Sequence, residues 1–87
     1  MHEASLMTGL IRRIEKIAEQ ERASRVTRVR VWCGALSHMS AAHCAEHFRE
    51  AARGTIAEGA ALDVTVSDDI TDRRAQDVML ESVDIES

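Results

Sequence analysis

The nine residues RVTRVRVWC, Arg25–Cys33, constrain the fold more than any other stretch, because two kinds of side chain alternate along them. The residues expected on the inward face are Thr27, Val29, Val31 and Cys33, and those expected on the outward face are Arg28, Arg30 and Trp32. Alternation with a period of two is typical of a strand whose sheet is covered on one face only. The chain therefore needs one layer of helices on one side of a sheet.

Two segments have the 3.6-residue period of amphipathic helices that would supply this layer. The first runs from Ser5, a candidate N-cap, to about Arg22, and the second from about Ser40 to Arg53, ended by Gly54 as a left-handed cap. The stripe expected to be buried in the first helix is Leu6, Leu10, Ile14 and Ile17, flanked by Met7, Ile11 and Ala18. In the second helix it is Ala41, Cys44, Ala45, Phe48 and Ala52.

Two later segments predict further strands. EGAALDVTVS would turn Leu62, Val64 and Val66 inward, and VMLESVDIE would turn Val83 and Ile85 inward. Carboxylates of Asp63 and Asp84 would then face Arg28 and Arg30 on the open side, in cross-strand ion pairs that each contribute at most about 1 kcal/mol. The order α-β-α-β-β predicts a single α+β domain over residues 1–87, a two-layer sandwich of two helices on one face of a small three-stranded sheet.

Composition and charge argue against several classes of function. A net charge of −4 is unfavourable for binding nucleic acid, which needs a basic surface. No stretch approaches the roughly 20 apolar residues of a membrane span, and MHEASLMTGLIRRIEK lacks the pattern of a signal peptide, so a cytoplasmic location is expected. The two cysteines, Cys33 and Cys44, have neither disulfide-scaffold nor zinc-pair spacing and are interpreted as small buried hydrophobic residues.

His43, Glu46 and His47 spell H-x-x-E-H, a pattern found in one class of zinc hydrolases. Such an enzyme needs a third protein ligand and a cleft that excludes water, and His38 is the only nearby candidate ligand. A small sheet under two helices leaves little room for a cleft. The pattern is therefore interpreted first as a hydrated polar helix face and second as a weak surface metal site, and the chain is not expected to be an enzyme.

The first three residues, Met1, His2 and Glu3, predict a different metal site. The α-amine, the amide nitrogen of His2 and its imidazole can close two fused chelate rings around one ion. Ni(II) and Cu(II) favour such a tetragonal set of nitrogen ligands. Taken alone, a Met-His beginning is common, and a frayed terminus is the simpler interpretation.

Four segments of the chain resemble the HypA/HybF family of nickel-incorporation proteins, which mature [NiFe] hydrogenases. They are MHEASL at the start, RVTRVRVWCGALSHM with its turn Gly34-Ala35-Leu36-Ser37, ARGTIAEGAALDV with Arg53 to Ala60, and VMLESVDIE near the end. The resemblance implies a cytoplasmic metallochaperone that holds Ni(II) through Met1, His2 and Glu3. It also implies two partners, a hydrogenase large subunit and a HypB-type GTPase.

One departure from the family pattern is large. Family members carry a zinc-binding loop with two C-x-x-C pairs between the second and third strands, whereas the segment between about residues 67 and 78 here contains no cysteine. No zinc is therefore expected. The alternative to a nickel chaperone is a non-metallated interaction module that keeps the docking fold and does not deliver metal.

The small sheet also predicts self-association. Both outer strands would leave backbone groups unpaired, and a small core with two aromatic residues is marginal for a monomer. The expectation is a homodimer formed through an edge strand or by exchange of the last strand, Val78 to Glu86. The competing expectation is a monomer whose edge is covered by its partner.

Overall fold

The computed structural model describes residues 3–87, with side chains from Ser5 onward. Over these residues the chain forms two helices and three strands in the predicted order: α1 (Glu3–Gln20), β1 (Arg25–Cys33), α2 (Ala41–Ala52), β2 (Ala61–Val66) and β3 (Val78–Glu86). The predicted α+β fold class is confirmed. The expected N-cap of the first helix is wrong, because Glu3 and Ala4 already belong to α1 and Ser5 lies inside the helix. Glutamate and alanine are good helix formers, so the helix starts before the serine.

The sheet has the strand order β2-β1-β3, so the strand with the clearest alternation is the central one. β1 runs parallel to β2 and antiparallel to β3. A parallel neighbour requires a crossover connection, and α2 supplies it. β2 and β3 form the two edges, and pairing of such edges in a homodimer stays a prediction.

The core lies between the helices and the inward face of the sheet. The predicted burial of both cysteines is confirmed, since Cys33 and Cys44 have no exposed surface. The stripe of α1 is rotated slightly from the expected one: Met7, Ile11 and Ala18 are buried, whereas Leu6 and Ile17 lie at its margin. The buried apolar residues of the core are Met7, Leu10, Ile11, Ile14, Ala18, Val26, Val29, Val31, Cys33, Met39, Cys44, Phe48, Ala52 and Ala57.

Thr27 was expected to face the core, and this prediction is wrong because β1 has a bulge at this residue. Val26 pairs with Ile85 and Arg28 with Asp84, so Thr27 is an extra residue opposite the β3 strand. Val26 is consequently 3% exposed and takes the core position, while Thr27 is half-buried and its hydroxyl donates to the Asp84 carbonyl at 3.2 Å. A bulge interrupts the period of two on which the prediction depended.

Two other inward positions were predicted wrongly, and both lie at the end of an element. Val66, the last residue of β2, is 47% exposed, and Ala41, the first residue of α2, is exposed. Residues at element ends extend past the neighbouring layer, so their periodicity no longer decides their burial. Leu62 and Val64, farther from the end of β2, pack against the core as expected.

The predicted ion pairs on the open face are confirmed. An Arg28 guanidinium nitrogen lies 2.8 Å from an Asp63 carboxylate oxygen, and an Arg30 nitrogen lies 3.0 Å from an Asp84 oxygen. A second contact of 3.8 Å joins Arg30 to Asp63. These side chains are two-fifths to one-half exposed, so each pair is screened by solvent and stabilises the sheet weakly.

Candidate functional site

Both helices begin at the same end of the molecule, where β1 ends. α1 leads into the start of β1 through a turn in which the Ala23 amide donates to the Ala18 carbonyl at 2.9 Å. The segment after α2 returns to the same place, since the Val26 amide donates to the Ile56 carbonyl at 3.2 Å. Both helices therefore run opposite to β1. We call this end of the molecule the upper end. It consists of the beginnings of α1 and α2, the turn 34–40 and the segment 67–77.

The segment 67–77 crosses the end of β1 and is fastened to the turn that follows it. The Gly34 amide donates to the Asp77 carbonyl at 2.8 Å, and the Leu36 amide donates to the Ala75 carbonyl at 2.6 Å. Ala75 is 4% exposed, and the Arg74 guanidinium lies 5.7 Å from the centre of the Trp32 ring. This polar segment is thus an ordered part of the upper end.

Local hydrogen bonds shape the tip of the same segment. The Thr71 hydroxyl and amide both donate to an Asp69 carboxylate oxygen, at 2.6 and 2.9 Å. These bonds to the charged form hold the pKa of Asp69 below its ordinary value. The carboxylate therefore acts as a turn former in a solvent-exposed position.

An open groove of about 700 Å³ lies at the upper end, between the first turns of α1 and the start of β3. Among the described residues the Ser37 hydroxyl oxygen is buried and has no hydrogen-bond partner. His38 is exposed and has a φ of 60°, a left-handed conformation that is unusual for a residue other than glycine. The residues lining the groove are Leu6, Leu36, Ser37, His38, Gln76, Asp77, Val78 and Met79.

The sequence-predicted metal ligands stand at the edge of what the structure describes. Met1 and His2 lie outside the described residues, and Glu3 is described only as the first residue of α1. Leu6, one turn farther along α1, lines the groove. The chain therefore enters α1 at the groove end of the molecule.

The residues of the H-x-x-E-H pattern lie on α2, with their side chains turned away from the core. His43 and Glu46 are exposed and His47 is half-buried, whereas Cys44 and Phe48 on the other side of the helix are buried. The two imidazole ring centres are 5.0 Å apart. Among side chains from Ser5 onward, no group of three or more His, Cys, Asp or Glu residues comes together as a metal site.

Sequence reasoning missed the groove, although one of its walls carries a recognised motif. Leu36 and Ser37 belong to the Gly-Ala-Leu-Ser turn, which was identified as a sequence motif, but the motif does not indicate that these residues line a groove. The opposite wall, from Gln76 to Met79, is brought there by hydrogen bonds between backbone groups, which leave no pattern of side chains to detect.

In the part of the chain that the structure describes, no helix has both the length and the apolar character needed to cross a membrane.

Comparison with known proteins gives a consistent family assignment. The model of the family described as "Hydrogenase/urease nickel incorporation, metallochaperone, hypA" matches residues 1–72. A protein of Archaeoglobus fulgidus named "Hydrogenase maturation factor HypA" is 41% identical over 66 residues, which cover 76% of this chain and 60% of that protein. One of the same name from Methylocella silvestris is 38% identical over 66 residues, covering 76% of this chain and 58% of its own length. The chain thus spans about three-fifths of the length of these relatives.

Two solved structures have a similar fold. The solution structure of the Ni metallochaperone HypA from Helicobacter pylori matches with a TM-score of 0.82, covering 100% of this chain and 99% of that one at 19% identity. A second, titled "Solution structure of HypA protein", matches with a TM-score of 0.75, covering 98% and 96% of the two chains, also at 19% identity. At this level of identity the likeness establishes the fold alone.

Proposed function

The chain belongs to the HypA family of nickel-incorporation metallochaperones, and we propose that it is a maturation protein that binds Ni(II) and assists its insertion into a [NiFe] hydrogenase. The observation that carries this proposal is that the family match begins at residue 1 and so includes Met1, His2 and Glu3. The relatives that the chain resembles are named maturation factors, so the proposed activity is delivery of a metal ion and not catalysis of a reaction.

The proposed ligand groups all come from the first three residues. They are the α-amine of Met1, the amide and imidazole nitrogens of His2, and the amide nitrogen of Glu3, whose carboxylate lies nearby in sequence. A square-planar nitrogen set selects Ni(II) and Cu(II) over Zn(II), which prefers tetrahedral sites.

The groove supports this placement of the cargo. Its polar groups, the Ser37 hydroxyl and the His38 imidazole, lie beside apolar side chains such as Leu36 and Val78. A mixed surface of this kind at the start of α1 suits contact with another protein while the ion is passed on. The proposed partners are the hydrogenase large subunit and a HypB-type GTPase.

Titration of untagged protein with Ni(II) tests the proposal. One equivalent should bind in a diamagnetic, square-planar form with an absorption band in the visible region. Affinity should increase with pH, because the amine (reference pKa about 7.7–8), the imidazole and the amides must all lose protons. His2→Ala should abolish the band.

A pair of extended proteins provides the matched control. A short Gly-Ser extension ahead of Met1 removes the α-amine from the site and should abolish the square-planar band. The same extension placed after Ser87 should leave the band unchanged. An undiminished band in the protein with the N-terminal extension would refute the proposed ligand set.

A second function is favoured by one observation, the lack of cysteine between about residues 67 and 78, where the resemblance would place a zinc-binding loop. In this alternative the domain is a non-metallated docking module. The module would bind the GTPase with equal affinity in the wild-type and His2→Ala forms and would show no visible nickel band. The metallochaperone proposal instead requires the band, with zinc absent and the fold unchanged by a strong chelator. Stoichiometric zinc in the purified protein would contradict that part of the proposal.

A further inference from the structure

Helix α2 presents two histidines one turn apart, and the nickel proposal makes no use of them. His43 and His47 are separated by four residues, so both project from one side of the helix. Their ring centres are 5.0 Å apart, and the ring planes are inclined by 36°. The opposite side of α2 is buried through Cys44 and Phe48, which leaves the histidine side directed outward.

The separation of the rings fits a shared metal ion. A transition metal lies about 2.0–2.1 Å from a ligating imidazole nitrogen, which places ring centres about 4.6 Å apart for bonds at right angles and about 5.3 Å apart for tetrahedral bonds. The observed 5.0 Å lies between these two values. Because residues four apart project from one side of a helix, rotation about the side-chain bonds can aim both rings at one ion without a change in the backbone.

The backbone that carries the pair is held firmly. The Ser40 hydroxyl accepts from the His43 amide at 3.1 Å, and the Ser40 carbonyl accepts from the Cys44 amide at 2.9 Å. Phe48, next to the second histidine, is 1% exposed and anchors the following turn. A capped and anchored helix keeps the two ligands at a fixed spacing, which reduces the entropy lost when a metal binds.

Charges along the helix offset the unfavourable field at its beginning. His43 lies in the first turn of α2, where the helix dipole disfavours a cation by about 0.3–1 kcal/mol. Glu46 follows His43 by three residues, and Glu50 follows His47 by three, so each histidine has a carboxylate on a neighbouring position of the same surface. Glu50 also lies 3.6 Å from Arg53, so part of its charge is already paired. Glu46 forms no ion pair among the described residues, and it lies in the first turns beside His43 and His47 in sequence.

We propose that His43 and His47 form a second, bidentate site for a divalent transition metal ion of the nickel, copper and zinc class. Water completes the coordination, because the described side chains offer no group of three ligands. The site is open to solvent and lies at the upper end, where α2 begins. It does not depend on the N-terminal ligand set.

Titration of the His2→Ala protein with Ni(II) tests this site separately from the first. We expect one weaker equivalent by calorimetry, without the visible square-planar band, and paramagnetic broadening of the His43 and His47 ring signals in NMR spectra. His43→Gln and His47→Gln should each weaken this binding at least tenfold, because each leaves a single ligand. His38→Gln, which changes a lone histidine at the same end, should leave the binding unchanged.

Three outcomes would overturn the proposal: binding that is unaffected by either α2 substitution, binding that is lost only with His38→Gln, or no binding at all in the His2→Ala protein. Far-ultraviolet circular dichroism of each variant should match the parent, because both substituted positions face away from the core. Failure of the N-terminal proposal would appear differently, as a missing square-planar band in wild-type protein while the binding at α2 persists.

Discussion

Replacement of Gly34 by alanine should destabilise the protein strongly, for a reason of space and not of backbone angle. A Cβ atom at this position would overlap the carbonyl group of Ala75 and lie 2.5 Å from the Arg74 carbonyl oxygen. Both groups are backbone, so no side-chain rotation relieves the overlap. Gly34 is therefore required because the segment 67–77 passes directly over it.

The magnitude follows from what must move. Separation of the segment from the turn breaks the bonds from the Gly34 and Leu36 amides, at 2.8 and 2.6 Å, and exposes Ala75, now 4% exposed. With about 0.5–1.5 kcal/mol for each bond and about 0.8 kcal/mol for the buried methyl group, Gly34→Ala should cost about 2–4 kcal/mol. This is a large part of the total stability of a small domain.

Urea unfolding followed by circular dichroism measures this loss. With a slope of about 1 kcal/mol per molar urea, the midpoint should fall by about 2 M or more. Gly9→Ala is the matched control, because Gly9 lies within α1 with nothing within 4 Å of the added atom. That change should instead stabilise the protein by about 0.5–1 kcal/mol. A Gly34→Ala midpoint within about 0.5 M of wild type would refute the reasoning.

Two further predictions concern the end of α1 and the buried thiols. Arg22 has a φ of 53° in a turn closed by hydrogen bonds from its own amide to the Glu19 carbonyl and from the Ala23 amide to the Ala18 carbonyl. Because glycine adopts this left-handed conformation without steric cost, Arg22→Gly should raise the free energy of unfolding by about 0.5–1 kcal/mol in the same urea titration. A lower midpoint would contradict this. The hydrogen bond between the two thiols raises the pKa of Cys44 and lowers the pKa of Cys33. Because neither cysteine has exposed surface, neither should react with an aromatic disulfide reagent at pH 8 until urea unfolds the chain. Rapid labelling of the folded protein would contradict that expectation.

The elements of the fold could be predicted because each has a regular period. β1 begins and ends where its alternation does, and the arginines of its open face meet the expected carboxylates. The errors lie where the period stops being informative. Thr27 lies at a bulge that depends on the pairing with β3, and Val66 lies beyond the reach of the covering helices. Neither is encoded in the local pattern.

The candidate sites divide in the same way. The His43–His47 pair follows from a spacing of four residues on a helix, so its geometry was within reach of the sequence. The groove was not, because it forms only when the segment 67–77 folds back on the turn at Gly34. The contact fits because Gly34 has no side chain. The need for glycine at this position cannot be recognised from the sequence, since it depends on the position of Ala75 in the folded chain.

The topology makes the positions of the two proposed metal sites independent of the length of the segment 67–77. Val66 and Val78, where β2 ends and β3 begins, both pair with Cys33 from opposite sides of β1. The connection must therefore cross two strand spacings, about 10 Å, a distance that a few extended residues can span. Residues 67–77 exceed that need, so a longer or shorter connection can be accepted with the sheet unchanged. The beginnings of α1 and α2 belong to the helical layer, which the sheet positions through its buried face. Nickel binding at the head of α1 should accordingly not depend on the length of the connection between β2 and β3.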